Sequence, residues 1–275
     1  MILAIVFVFG LVIGSFLNVC IARLPHGESI VSPPSRCPRC QSSIHYYDNI
    51  PVISFIILRG KCRQCGLPIS WQYPLVELAN ALLYVWTVSE FWIGGETFII
   101  LALGSALIVI TVIDYHHMII PDVITIPGML IGLAVAPFFM TALGEPLPLP
   151  LRQLLPQTGP YATALLNSCI GLIAGGGPLF AIGWIWEKLR HEEAMGGGDV
   201  KLMGMVGSII GWKGALLTIF LGAIVGSIVG LTLRIIKLNK RGQLIPFGPF
   251  LAVGAVASAF YGNNIIVWYL GLIRG

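Results

Sequence analysis

Three of the four aspartates in this 275-residue chain, Asp114, Asp122 and Asp199, stand at the ends of long apolar runs. Asp199 follows three glycines in MGGGDVKLMG at 195–204, and Asp114 opens DYHHMIIPD, with Asp122 at its end. An ionisable group at membrane depth costs about 2.5–3.5 kcal/mol at a helix centre and less at the rim. Asp122, just after Pro121, and Asp199 each open an apolar run, where a carboxylate complements the helix dipole. Asp114 closes a run, where the dipole has the wrong sign. Two carboxylates brought together across a helix interface share a proton, because like charges at close range do not both ionise. Such a dyad can activate water with one member and protonate a leaving amine with the other. The glycines before Asp199 would let a substrate backbone approach closely. An ion-coupled transporter also uses intramembrane carboxylates and stays open as a second reading.

The other chemistry-bearing residues are cysteines. Cys37-Pro-Arg-Cys40 and Cys62-Arg-Gln-Cys65 lie in the polar segment 23–72. Each CxxC sets two thiolates on one turn, and two such turns close a tetrahedron around Zn²⁺ at Zn–S distances of about 2.3 Å. Flanking Arg and Lys favour the thiolates. No open coordination position is apparent, so the site reads as structural, with metal binding supplying folding free energy to a loop too small for its own core. The alternatives are two disulfides, disfavoured in a reducing compartment, and His45 as a substitute ligand. Cys20 and Cys169 lie in apolar runs and read as packing residues.

The elements that must position these groups are membrane helices. The chain is 56% hydrophobic and 10% charged, against roughly 25% charged in soluble domains, and its mean hydropathy is +0.89. Runs suited to span a bilayer fall near 2–21, 74–93, 97–113, 123–143, 161–186, 200–211, 213–236 and 250–272. The fold expected is all-α and polytopic, with about eight transmembrane helices and a cytosolic zinc-binding loop. Residues 1–22 are its first helix, 23–72 the loop and 73–275 a seven-helix membrane domain. The first run has no basic start and no small-residue cleavage site, so it reads as a retained span. With the N-terminus outside, thirteen of the sixteen Lys and Arg fall on the inner face, a positive-inside asymmetry that also puts the C-terminus outside. The net charge of +4 then reflects topology and the anionic membrane surface, with no nucleic-acid partner.

Seven blocks in order resemble the type IV prepilin peptidases: GSFLNVCIARLP at 14–25, PPSRCPRC at 33–40, DNIPVISFIILRGKCRQCGLPIS at 48–70, YPLVEL at 73–78, DYHHMIIPD at 114–122, GGGDVKLMGMVG at 196–207 and IPFGPFLAVGA at 245–255. The resemblance implies an inner-membrane aspartic peptidase of the GxGD type. Such enzymes cut the basic leader of prepilins and pseudopilins after a glycine on the cytosolic side. Many then methylate the new amino group, usually of phenylalanine, from S-adenosylmethionine. Matched residue by residue, it implies Asp114 and Asp199 as the catalytic pair, with Asp122, Gly196, Gly198 and Lys201 in support. No strand followed by GxGxxG is visible, so S-adenosylmethionine binding rests on the resemblance.

Glu77, one turn into the second span, is the candidate for contacting the amine or the cofactor, with Asn18 and Arg23 as polar partners. Glu77 reads equally as a buried carboxylate paired with Arg23 or Arg59. Asn18 reads equally as an interhelical hydrogen bond worth about 0.6 kcal/mol. A peptidase without methyl transfer is the narrower alternative. His116, His117 and most tryptophans read as interfacial, GAIVGSIVG at 222–230 as a helix-packing stripe, and the proline-rich 144–160 is assigned no role.

Overall fold

The computed structural model describes residues 1–139, 148–155, 158–190, 196–236 and 245–274. Among these, the long elements are helical throughout. They are α1 (Ile2–Arg23), the short α2 (Ile53–Ile57), α3 (Gln72–Phe91), α4 (Gly95–His117), α5 (Asp122–Phe139), the short α6 (Leu149–Leu154), α7 (Pro160–Arg190), α8 (Gly197–Ile235) and α9 (Gly248–Arg274). Five segments are long and apolar enough to cross a membrane by length and composition: Ile2–His26, Gly95–His117, Pro160–Arg190, Gly197–Ile235 and Gly248–Leu272. The chain is a multi-pass membrane protein. It divides into two compact units, Met1–Ile113 and Asp114–Gly275.

In the first unit α1 lies directly on α3. A Cβ added to Gly10 would stand 2.6 Å from the Ala81 Cα, and one added to Gly14 the same distance from the Glu77 Cα. Glycine at both positions brings the backbones into touch, the usual means of helix association where lipid removes the hydrophobic drive. A buried polar chain reinforces the contact. Asn80 Nδ2 donates to the Gly10 carbonyl at 2.8 Å, and Ser105 of α4 donates to Asn80 Oδ1 at 2.9 Å. The loop between α1 and α3 carries the cysteines.

The second unit contains one departure from straight helices. Gly211, inside α8, has φ 79° and ψ 175°, a region occupied essentially by glycine alone. There the helix turns back on itself. A Cβ added to Gly207 would lie 3.2 Å from the Ala215 Cβ, although residues eight apart on a straight helix are separated by about 12 Å. Gly175 of α7 meets both arms, Met203 before the turn and Ala215 after it. The apolar runs expected at 200–211 and 213–236 are therefore the arms of one helical hairpin.

Candidate functional site

Asp122 and Asp199 sit where the dipole argument places a carboxylate, in the first turns of α5 and α8. Asp114 belongs to the last turn of α4, and its main-chain carbonyl accepts the Met118 N–H at 2.8 Å. Its side chain is 6% exposed, and its partner comes from another helix. The Gly248 N–H, at the start of α9, donates to Asp114 Oδ2 at 2.9 Å. Asp199 stands within electrostatic reach of Asp114, so the second unit brings together the two carboxylates at the ends of α4 and α8. Gly248 is absent from the sequence-based set of site residues. The IPFGPF block could have pointed to it, since a glycine followed by proline opens a helix there.

The three glycines before Asp199 differ in their surroundings. Among the described residues, a Cβ on Gly198 would press to 2.9 Å from the Ile120 Cβ, whereas one on Gly197 would meet nothing within 4 Å, and one on Gly196 would come no closer than 3.9 Å, to Asp199 Oδ2. Lys201 is not free beside the pair: it binds both oxygens of Asp122.

In the first unit the four thiols of Cys37, Cys40, Cys62 and Cys65 converge, with all Sγ atoms within 4.8 Å of one another. Sulfurs around one tetrahedral zinc are about 3.8 Å apart at the usual bond length, so this donor set can hold a metal ion. Two matching knuckles build it. The Cys37 N–H bonds the Ser42 carbonyl and the Gln41 N–H bonds the Cys37 carbonyl, each at 2.9 Å. Twenty-five residues on, Cys62 with Leu67 and Gly66 with Cys62 repeat both bonds at 2.9 Å. The bridges Arg36–Ser43 and Lys61–Pro68 repeat at the same offset. The Ser42 hydroxyl, 2.9 Å from Cys40 Sγ, together with the Ser42 amide brings the Cys40 thiol down to about 6. The amides of Cys65 and Gln64 lower that of Cys62. Both effects favour metal-ligating thiolate. His45 is not in the cluster; it stacks on Tyr47, with centroids 5.1 Å apart. Arg63, between Cys62 and Cys65, grips Asp48 through two hydrogen bonds of 2.8 and 2.6 Å.

Glu77, Asn18 and Arg23 line one cavity of about 540 Å³, together with Cys37, Cys62 and Tyr73. Glu77 is 7% exposed and accepts the Val52 N–H at 2.8 Å; Val52 takes a positive φ of 59°. Its pairing with Arg23 or Arg59 is not found. Among the described residues the ion pairs are Arg63–Asp48 and Lys201–Asp122, and the Arg23 guanidinium donates to the carbonyls of Ser29 and Pro33. Asn18 makes the expected bond between helices, donating to the Tyr73 carbonyl at 3.0 Å, while its buried Oδ1 has no partner.

Comparison with known proteins fits both units. Residues 8–91 match the bacterial peptidase A24 N-terminal domain, and residues 101–231 match the type IV leader peptidase family. Curated relatives named prepilin leader peptidase/N-methyltransferase include one from Aeromonas hydrophila, 34% identical over 97% of this chain and 93% of its own. One from Pseudomonas aeruginosa is 32% identical over 95% and 91%, and one from Myxococcus xanthus is 38% identical over 86% and 64%. No solved structure matches. With two carboxylates converging in one unit, four thiols in the other and this likeness along nearly its whole length, the chain belongs to the type IV leader peptidase family.

Proposed function

We propose that the chain removes the leader of type IV prepilins and pseudopilins after a glycine, and then methylates the new N-terminal residue. The observation that carries the first half is the convergence of Asp114 and Asp199 in one unit. One carboxylate takes a proton from water as the water oxygen adds to the scissile carbonyl carbon. The other carboxyl gives a proton to the leaving nitrogen as the C–N bond breaks. Asp122, Gly198 and Lys201 hold this pair in register, and Gly196 leaves room for a substrate backbone beside Asp199. The excess of Lys and Arg on one set of loops supports eight crossings, both termini outside and the pair at the cytosolic face of the inner membrane.

The second half rests on the cavity beside the cysteine cluster. Its volume of about 540 Å³ suits a small-molecule site, and the unpartnered Oδ1 of Asn18 and the Glu77 carboxylate offer acceptors for ammonium groups. S-adenosylmethionine, when bound, supplies an electrophilic methyl group. Glu77 orients the new amine and accepts the proton it must lose before attack, while Asn18 and Arg23 complete the polar wall. The four thiolates hold a structural Zn²⁺ that folds the wall formed by the loop.

Intact mass spectrometry of prepilins incubated with the purified protein and S-adenosylmethionine tests both halves. Loss of the leader plus one methyl group is expected, with neither change for Asp199→Asn. Leader loss without the methyl would remove the second activity. An unchanged mass across a panel of prepilins would return the carboxylates to ion transport.

A further inference from the structure

Asp114 receives no help from its own helix. It lies in the last turn of α4, where the negative pole of the dipole disfavours a carboxylate. The start of α9 compensates, through one donor. Pro249 has no N–H, and the N–H groups of Phe250 and Leu251 both turn back to the Phe247 carbonyl, at 3.0 and 3.1 Å. That leaves the Gly248 N–H, one of the unpaired donors every helix start presents, and it donates to Asp114 Oδ2 at 2.9 Å in a buried setting. An independent steric observation points the same way. A Cβ added to Gly248 would stand 2.6 Å from that oxygen and 3.2 Å from the Asp114 Cγ. Any side chain at 248 would occupy the space in which the carboxylate is held.

We propose that Gly248 is the positioning residue for Asp114: its N–H fixes Oδ2, and its missing side chain leaves the space that oxygen occupies. The inference rests on reading Asp114 as a peptidase carboxylate. With one lone pair of Oδ2 committed to the amide, the proton that Asp114 exchanges with water or the leaving nitrogen travels on Oδ1, which has no partner among the described residues. Gly248 touches no reacting atom; it decides which oxygen reacts and where it points.

The test is cleavage kinetics of the full-length protein on a prepilin, with Gly248→Ala beside Gly262→Ala. Position 262 is also in α9, but among the described residues its added Cβ would meet only ordinary contacts at 3.5 and 3.7 Å. For Gly248→Ala the kcat should fall about 10- to 100-fold, as displacement of a reacting group by about 1 Å does. KM should stay within about twofold, and the pH dependence of kcat should change shape. Gly262→Ala should behave as wild type. A melting-temperature cycle decides the matter even if Gly248→Ala is poorly folded. Alanine at 248 should lower the melting temperature of the wild type but not of Asp114→Ala, which lacks the opposing oxygen. Additive effects, an unchanged kcat, or a loss confined to KM would overturn the inference. Asp114→Asn separates the two readings. If it cleaves normally, the peptidase assignment fails; if it is dead while Gly248→Ala is fully active, only the positioning role fails.

Discussion

Lys201 Nζ donates to both carboxylate oxygens of Asp122, at 2.8 and 2.7 Å, and so ties the start of α5 to the start of α8. Both groups are about half exposed, so the pair contributes roughly 0–1 kcal/mol to stability. On the reading proposed above, its value lies in register. Asp122 follows Asp114 by way of the turn at Met118, and Lys201 follows Asp199 by two residues. Asp122→Asn and Lys201→Met should each lower leader cleavage several-fold with little change in melting temperature. The exchange Asp122→Lys with Lys201→Asp should recover most of the activity. Measuring kcat/KM across this cycle checks it, and failure of the exchange to improve on either single charge reversal would count against a register role.

The glycines of the GGGD stretch should divide by position. Gly197→Ala should cleave normally, because among the described residues nothing lies within 4 Å of the added methyl group. Gly198→Ala should lose at least about tenfold in kcat, as Ile120 or the start of α8 must yield. Gly196→Ala faces open space beside Asp199, so its effect should fall on KM, where a substrate backbone would meet it. Steady-state kinetics on one prepilin would reveal the order, and equal losses at all three positions would remove the steric account.

The two activities should separate by unit. Glu77→Gln should abolish methyl transfer to a pre-cleaved pilin while leader removal continues. Cys37→Ser with Cys62→Ser should reduce bound zinc and methylation more than cleavage. Mass spectrometry of the product beside metal analysis of the protein reads both. Parallel loss of cleavage and methylation in the cysteine variant would mean that the loop serves the whole fold.

Acid should probe the Arg63–Asp48 clamp. Two hydrogen bonds from Arg63 hold the Asp48 carboxyl below the ordinary carboxylate range. A depressed folded-state value means that the stabilisation is complete above the unfolded value, near pH 4, and is lost as pH falls through the folded value. Arg63→Met should therefore release metal to a chelator more readily than wild type by a constant factor between pH 5 and 8. A factor that changed across that range would implicate some other titrating group.

The apolar runs were legible because a bilayer demands long helices, and each expected run is helical over most of its described residues, that near 123–143 passing beyond them at its end. The limits of the short, glycine-rich run at 200–211 were the least legible, and the chain turns at its last residue, Gly211. The convergence of four thiols followed from two CxxC turns. What the sequence could not supply was partnership across distance. Gly248 is 134 residues from the carboxylate it holds, and no periodicity encodes a main-chain amide as a donor. Arg23 and Arg59 looked like natural partners for Glu77 by charge, but the amide of Val52 satisfies that carboxylate instead. The matched hydrogen bonds of the two knuckles were hidden because PRCQS and RQCGL share little beyond their cysteines.

The hairpin of α8 has a consequence for the bilayer around it. Its first arm, from Gly197 to Ile210, is about 21 Å long at 1.5 Å per residue, against a hydrocarbon thickness of about 30 Å. An arm that short leaves a hydrophobic mismatch, met by thinning of the lipid or by a wet notch above its start. Asp199 stands at that start. If Asp199 is the peptidase carboxylate proposed above, that shortfall would set it below the plane of the surrounding headgroups yet within reach of water, at the depth where a membrane-anchored substrate would first leave the lipid.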